Sequence, residues 1–178
     1  ELGVASAKIY DFIWDTYCDW YIELTKTRLN GDDPAAKLAA ENVLCYVLQR
    51  ILELLHPFMP FITEEIWQAL PHEGDYLIRA QWPVYRPEFD FWAEEQALEA
   101  VKDAISAVRA RRAERNVSPS KKAQMIIVSD HADDYRMGEH FIKRMAYASE
   151  ITVTGAAPTD LSGLVTVVTH GANVYLPL

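Results

Sequence analysis

The chain has 178 residues, 50% of them hydrophobic and 24% charged. That is the balance of a folded globular protein and excludes a low-complexity or disordered class. Its 26 acids and 17 bases give a net charge of −9, which argues against a general nucleic-acid coat protein. A chain of this length buries roughly 70% of its unfolded surface, so it folds as one domain or two small ones without disulfide or metal staples.

Residues 4–29 read as one long amphipathic helix. Ile9, Ile13, Tyr17, Trp20 and Leu24 recur at spacings of four, four, three and four, which puts them on one face. Asn30-Gly31-Asp32-Asp33-Pro34 breaks it, and Asp33 can cap the next helix with Pro34 at its first position. That second helix runs to about Leu55 on a stripe of Leu38, Cys45, Leu48, Leu52 and Leu55. His56-Pro57-Phe58-Met59-Pro60 interrupts it, because Pro57 lacks an N–H and disfavours a helical conformation at His56. A third helix is expected with Thr63-Glu64-Glu65 at its start and Ile66, Trp67 and Leu70 along it. Pro71, Gly74 and Pro83 mark an irregular stretch to about Phe91. Helices joined this closely make an antiparallel bundle.

The pattern then changes. Glu94 to about Asn116 reads as a helix with Ala97, Val101, Ile105 and Val108 inward, ended by Val117-Ser118-Pro119-Ser120. Ala123–Ser129 reads as a strand, Asp133–Ser149 as a helix and Ile151–Thr154 as a strand. Val165–Val168 and Asn173–Leu176, split by His170-Gly171, read as a hairpin. The fold class is therefore mainly α: an antiparallel helix bundle over residues 1–93, then a small mixed α/β domain over residues 94–178.

Catalytic patterns are absent. The five histidines fall in no HExxH, and there is no GxSxG, Walker A loop or GxGxxG. His56, held between an apolar helix and a proline, reads as structural. Glu64 and Glu65 point in different directions on a helix and read as helix-start charges. Cys18 and Cys45 form no CxxC pair and read as buried thiols of a reducing compartment. No apolar run approaches the ~20 residues of a membrane helix, and no basic segment precedes an apolar one at the start, so no signal peptide is read. The chain opens without Met inside a helix and stops at Leu176-Pro177-Leu178, and both ends read as cuts in a longer protein.

Two features point to a polyanion. Residues 1–93 carry 15 acids and 7 bases, but Lys102–Lys122 carries 7 bases and 2 acids, a local basic stripe on an acidic chain. Arg109 and Arg112 are three apart on one helix face, and Lys121 and Lys122 follow in a loop stiffened by Pro119, a row suited to RNA phosphates. The first helix carries Trp14, Tyr17, Trp20 and Tyr21 beside Lys26 and Arg28. Flat rings and cations are what unpaired RNA bases stack on, although the spacing alone favours core packing for most of these rings, Trp20 first.

Two stretches carry a resemblance. Leu55–Trp67, LHPFMPFITEEIW, is similar to the helix-break-helix signature of the anticodon-binding bundle in class I aminoacyl-tRNA synthetases for valine, isoleucine, leucine and methionine. Tyr10–Leu29, YDFIWDTYCDWYIELTKTRL, and Arg112–Ala123, RAERNVSPSKKA, resemble the valyl members in the same order, and together these cover nearly the whole chain. Tyr17 stands where those members commonly have Phe, Arg111 and Arg115 replace usually apolar residues, and Ser118 replaces a usual Pro.

The resemblance implies the tRNA-binding fragment of a valine-tRNA ligase, with tRNA(Val) and the remaining domains of the parent synthetase as partners, in the cytoplasm. The HIGH and KMSKS motifs of the ATP-using catalytic domain are not in this chain, so ATP and catalysis are expected of the parent enzyme, with no cofactor or metal here. A C-terminal coiled-coil arm common in valyl enzymes is also not seen. Tyr17, Lys26 and Arg28 are expected near the anticodon, and Arg109, Arg112, Lys121 and Lys122 on the tRNA backbone. The alternatives are a helical protein-protein interaction module or the same region of an isoleucyl- or leucyl-tRNA synthetase.

Overall fold

The computed structural model describes residues 1–177, which divide into two compact units, Glu1–Arg86 and Pro87–Leu178.

In the first unit, α1 (Leu2–Asp11) passes without a break into a π-helical segment, Phe12–Ile22, and on into α2 (Glu23–Leu29). A π-helix is rare and usually a single turn, yet the inward stripe survives it. Tyr17 and Leu24 are buried, and Ile9, Ile13 and Trp20 are half-buried. α3 (Pro34–Leu55) starts as its cap residues dictate: the Asp33 carboxylate accepts from Ala35 N at 2.9 Å and Ala36 N at 3.3 Å, with Pro34 in the first turn. The short turn between α2 and α3 folds them antiparallel, so Tyr17 lies against Leu44, and Ile9 and Phe12 share a groove with Ile51 and Leu54. The stripe on α3 differs from expectation at Leu38, which is 58% exposed, while Ala40 is buried.

α4 spans Pro60–Ala69 and so begins three residues before Thr63. Pro60 explains this, since a proline is tolerated in a helix's first turn, where its missing N–H would be unsatisfied anyway. Thr63 is buried inside the helix. Its hydroxyl lies 2.8 Å from both the Met59 carbonyl and His56 Nδ1, so the side chains close the break between α3 and α4. Glu64 is not a helix-start charge. Its carboxylate accepts from the Leu77 N–H at 3.0 Å and from Gln68 Nε2 at 2.8 Å, which anchors a short 3-10 turn, Leu77–Arg79, against α4. Leu52, Trp67 and Leu77 form the buried centre of this region, with Leu48, Leu70 and Ala80 around it.

In the second unit, α5 (Trp92–Glu114) buries Ala97, Val101, Ala104, Ile105, Val108 and Arg112 along one stripe. Its end is a Schellman motif: Asn116 takes a left-handed φ of 52°, its N–H donates to Ala113 O at 3.0 Å, and Val117 N donates to Arg112 O at 2.9 Å. A four-stranded sheet runs in the order β2-β1-β4-β3. β1 (Ala123–Val128) is parallel to β2 (Ala148–Thr154), and β4 (Asn173–Leu176) is antiparallel to both β1 and β3 (Val165–Val168).

The helix expected over 133–149 is two short ones, α6 (Ala132–Met137) and α7 (Glu139–Met145), broken at Gly138. A Cβ at Gly138 would sit 2.4 Å from a methyl of the buried Val101 side chain. Only glycine allows so close an approach to α5, and Ala148, freed from the helix, opens β2. The β3–β4 turn is tied to α5 by Asp103, whose carboxylate accepts from both the His170 N–H and Nδ1 at 3.0 Å. These bonds, the backbone one foremost, hold Asp103 below the usual carboxylate range. No helix among the described residues is long and apolar enough to cross a membrane.

Candidate nucleic-acid interface

The expected contacts divide between the two units. In the helical unit, Tyr17 does not present its ring. It is 7% exposed, and its hydroxyl donates to the Leu44 carbonyl at 3.0 Å. Burial pushes its phenol up to about 12. Tyr17 thus locks the first helix to α3, and the ring left open on that helix is Trp14, 51% exposed and tilted against Tyr10. Lys26 is half-exposed and donates to the Glu23 carboxylate one turn back, which shields part of its charge. Arg28 is exposed at the end of α2. It acts electrostatically on Tyr21, where it offsets part of the upward push that burial gives that phenol.

The buried Tyr17 phenol has a measurable consequence. The folded chain keeps this proton to higher pH than the unfolded chain, so its contribution is complete below the ordinary tyrosine value of 10.0 and fades as pH rises toward about 12. Tyr17→Phe is expected to lower stability by about 1 kcal/mol at neutral pH through the lost hydrogen bond. The gap from the parent should close in alkaline urea melts, and a gap that stays constant above pH 10 would contradict this account.

In the second unit, Arg109, Lys121 and Lys122 are exposed. Arg112 is not: it is 3% exposed. Its Nη2 donates to the Ser118 carbonyl at 3.1 Å and to the Lys121 carbonyl, and its guanidinium lies 5.7 Å from the centre of the Tyr147 ring. One planar cation thus gathers both ends of the Ser118–Lys121 turn. Arg112 shapes the loop that carries the two lysines rather than offering a surface charge itself. Ser118 and Ser120 tighten the same turn, their hydroxyls 2.8 Å apart.

A further cationic feature of the helical unit was not marked by charge patterning. A cleft of about 790 Å³ between α3, α4 and the following loop is lined by Arg50, Arg79 and Arg86, with Tyr46, Trp67 and His72 among its walls. Arg50 is fixed in place: Nη2 donates to the buried Glu53 carboxylate at 2.6 Å, and its guanidinium lies 5.2 Å from the Tyr46 ring centre. Burial pushes the Glu53 carboxyl up, and Arg50 partly opposes this. Arg50 lies on α3 while Arg79 and Arg86 lie in the stretch after α4, all spread among acids, so no run of like charge announces the cleft. Among the described residues, no group of three or more His, Cys, Asp or Glu side chains is placed to hold a metal ion.

Residues 1–127 match the family model described as the anticodon-binding domain of tRNA ligase. The chain belongs to this family of tRNA-ligase anticodon-binding domains. Its similarity extends beyond that segment: over its full length it is 43% identical to the valine–tRNA ligases of Clostridium acetobutylicum and Halalkalibacterium halodurans, and 42% identical to that of Geobacillus stearothermophilus. The chain spans about one-fifth (20%) of the length of each of these relatives.

Proposed function

We propose that this chain is the tRNA-holding part of a valine–tRNA ligase. The helical unit engages the anticodon stem-loop, and the mixed α/β unit supports the tRNA body. Activation of valine with ATP, and its transfer to tRNA(Val), belong to parts of the parent enzyme outside these residues, in the cytoplasm. The observation that carries this reading is identity above 40% over the whole chain to enzymes that each bear that name.

The chemistry is positioning. A rigid frame holds a bent polyanion so that its far end reaches a distant active site, which turns an encounter into an oriented one. Lys26 and Arg28 in the helical unit, and Arg109, Lys121 and Lys122 in the mixed unit, are the cations this reading assigns to phosphates. Tyr17 and Arg112 act by holding the surfaces that present them.

The test compares a valine tRNA transcript with one altered only in its anticodon, titrated at a fixed salt concentration. The altered transcript is expected to bind about five- to a hundredfold more weakly, the range that stacking and edge contacts of about 1–3 kcal/mol per base supply. Equal affinities would remove anticodon reading. A transcript-independent interaction with a protein partner would instead favour an interaction module.

A further inference from the structure

We infer that the end of α7 completes a phosphate-binding surface on the mixed unit, where Lys143 and Arg144 join Arg115, Lys121 and Lys122 in gripping the backbone of a paired RNA stem. This rests on the tRNA-binding reading and adds two cations that the basic stripe of Lys102–Lys122 does not contain. Both lie beyond residues 1–127, the segment matched by the anticodon-binding family.

Strand register brings the two segments together. β1 and β2 are parallel and start level, with Ala123 opposite Ala148. Neighbouring strands lie about 4.8 Å apart, so the residues that enter them are neighbours too. Lys121-Lys122 enters β1, and the end of α7 enters β2 through Tyr147, whose carbonyl accepts from Ala123 N at 3.3 Å. Both helices end on a left-handed residue, Asn116 at φ 52° after α5 and Tyr147 at φ 60° after α7. Arg112 then ties the two exits, with its Nη2 on the Ser118 and Lys121 carbonyls and its guanidinium against the Tyr147 ring. The surface is therefore set before any ligand arrives, which lowers the ordering cost of binding.

Charge gives the surface its sign. Residues 109–122 and 143–150 carry eight bases and two acids on a chain of net charge −9. Those two acids are engaged, Glu114 with Arg111 at 3.0 Å and Glu150 with Gln124 at 3.1 Å. Glu139 lies at the opposite end of α7. A helix C-terminus favours a nearby cation by itself, because its carbonyls amount to about half a negative charge. Two such ends account for about one cation, whereas Arg115, Lys121, Lys122, Lys143 and Arg144 are all exposed. The surplus is what a polyanion neutralises.

The kind of polyanion follows from what the surface does not offer. Tyr147, the ring between the two segments, is half-buried against Arg112 and is not open to a stacked base. Cations without an open ring hold phosphates and carry no base readout. A paired stem presents that target, since the deep narrow groove of A-form RNA hides its base edges.

The experiment uses the 178-residue chain with the valine tRNA transcript, its anticodon-altered version, a blunt RNA duplex and one separated strand of that duplex. K143Q/R144Q is expected to bind both transcripts about tenfold more weakly, by the same factor, because phosphates carry no sequence. Its log K against log salt slope should be shallower by about 1.8, the value for two lost duplex phosphate contacts. Binding of the duplex should weaken likewise, and the separated strand should compete poorly. K8Q/K37Q, which removes two exposed lysines of the helical unit, should stay within about twofold of the parent. Thermal melts establish that each variant is folded.

If the unaltered chain binds no transcript, the tRNA-binding reading falls and this surface with it. If it binds and K143Q/R144Q matches it in affinity and slope, the reading stands and α7 is not part of the contact. An equal loss in K8Q/K37Q would reduce the effect to general attraction. A separated strand that competes as well as the duplex would overturn the assignment to a stem.

Discussion

Trp67→Ala is expected to lower the stability of the helical unit by about 3–5 kcal/mol, the usual cost of truncating a large buried aromatic and leaving a cavity behind it. Trp67 is 3% exposed and packs with Leu52 and Leu77 at the point where α3, α4 and the Leu77–Arg79 turn meet. Compact domains of this size have only about 5–15 kcal/mol in hand, so the loss takes most of the margin. The same ring backs His72, so the cleft of the helical unit should lose its shape along with the core. Urea unfolding followed by helical circular dichroism measures the first effect, and hairpin RNA titration the second. A midpoint that moves by less than the equivalent of about 1 kcal/mol would mean that this ring is not the keystone the packing implies.

The second large effect is expected at Arg112. Arg112→Met keeps length and apolar stem but removes the donors that hold the Ser118 and Lys121 carbonyls. The Ser118 carbonyl keeps the Lys121 N–H at 3.0 Å, so the loss is that of two hydrogen bonds from a charged donor, about 1.5–3 kcal/mol each at most. A destabilisation of about 2–4 kcal/mol is therefore expected. Arg112→Lys should recover part of it, since both bonds leave one nitrogen, Nη2, and an ammonium also carries several donors, but it gives up the planar face set against the Tyr147 ring. A functional signature separates this from simple unfolding. At temperatures where Arg112→Met is still folded, the loop with Lys121 and Lys122 should exchange its amide hydrogens faster, and tRNA affinity should fall although no surface charge has been removed. Conversely, K121Q/K122Q should leave stability within about 0.5 kcal/mol of the parent, as expected of exposed positions, and flatten the salt dependence. If Arg112→Met is stable but binds tRNA with a shallower salt slope, Arg112 touches phosphate after all, and its burial against Tyr147 is misleading.

Both residues show where periodicity and chemistry gave competing signals. Tyr17 sits four residues after Ile13 on the inward stripe of the first helix, and Arg112 sits four after Val108 on that of α5. The spacing alone places both inside. Their polar groups suggested RNA contact instead, and the fold satisfies those groups internally, on the Leu44 carbonyl and on the loop carbonyls. An inward position outranked a polar tip because a long side chain can bury its stem and still find a backbone partner.

What the amino-acid order determined by itself was whatever depends on neighbours a few residues apart. Asp33-Pro34 started α3, and the hairpin fell at Val165–Val168 and Asn173–Leu176. The mainly helical class, with a small α/β part after it, followed from the switch in apolar period, and family membership from three local motifs. Tertiary structure alone decided the rest. Gly138 splits a helix because α5 crosses close above it, Leu38 stays outside because no neighbour covers it, and Glu64 serves a turn thirteen residues away. The cleft of Arg50, Arg79 and Arg86 belongs to this second kind. Arg50 meets the other two only after α3, α4 and the following loop have packed, and three bases spread among acids leave no mark on local composition.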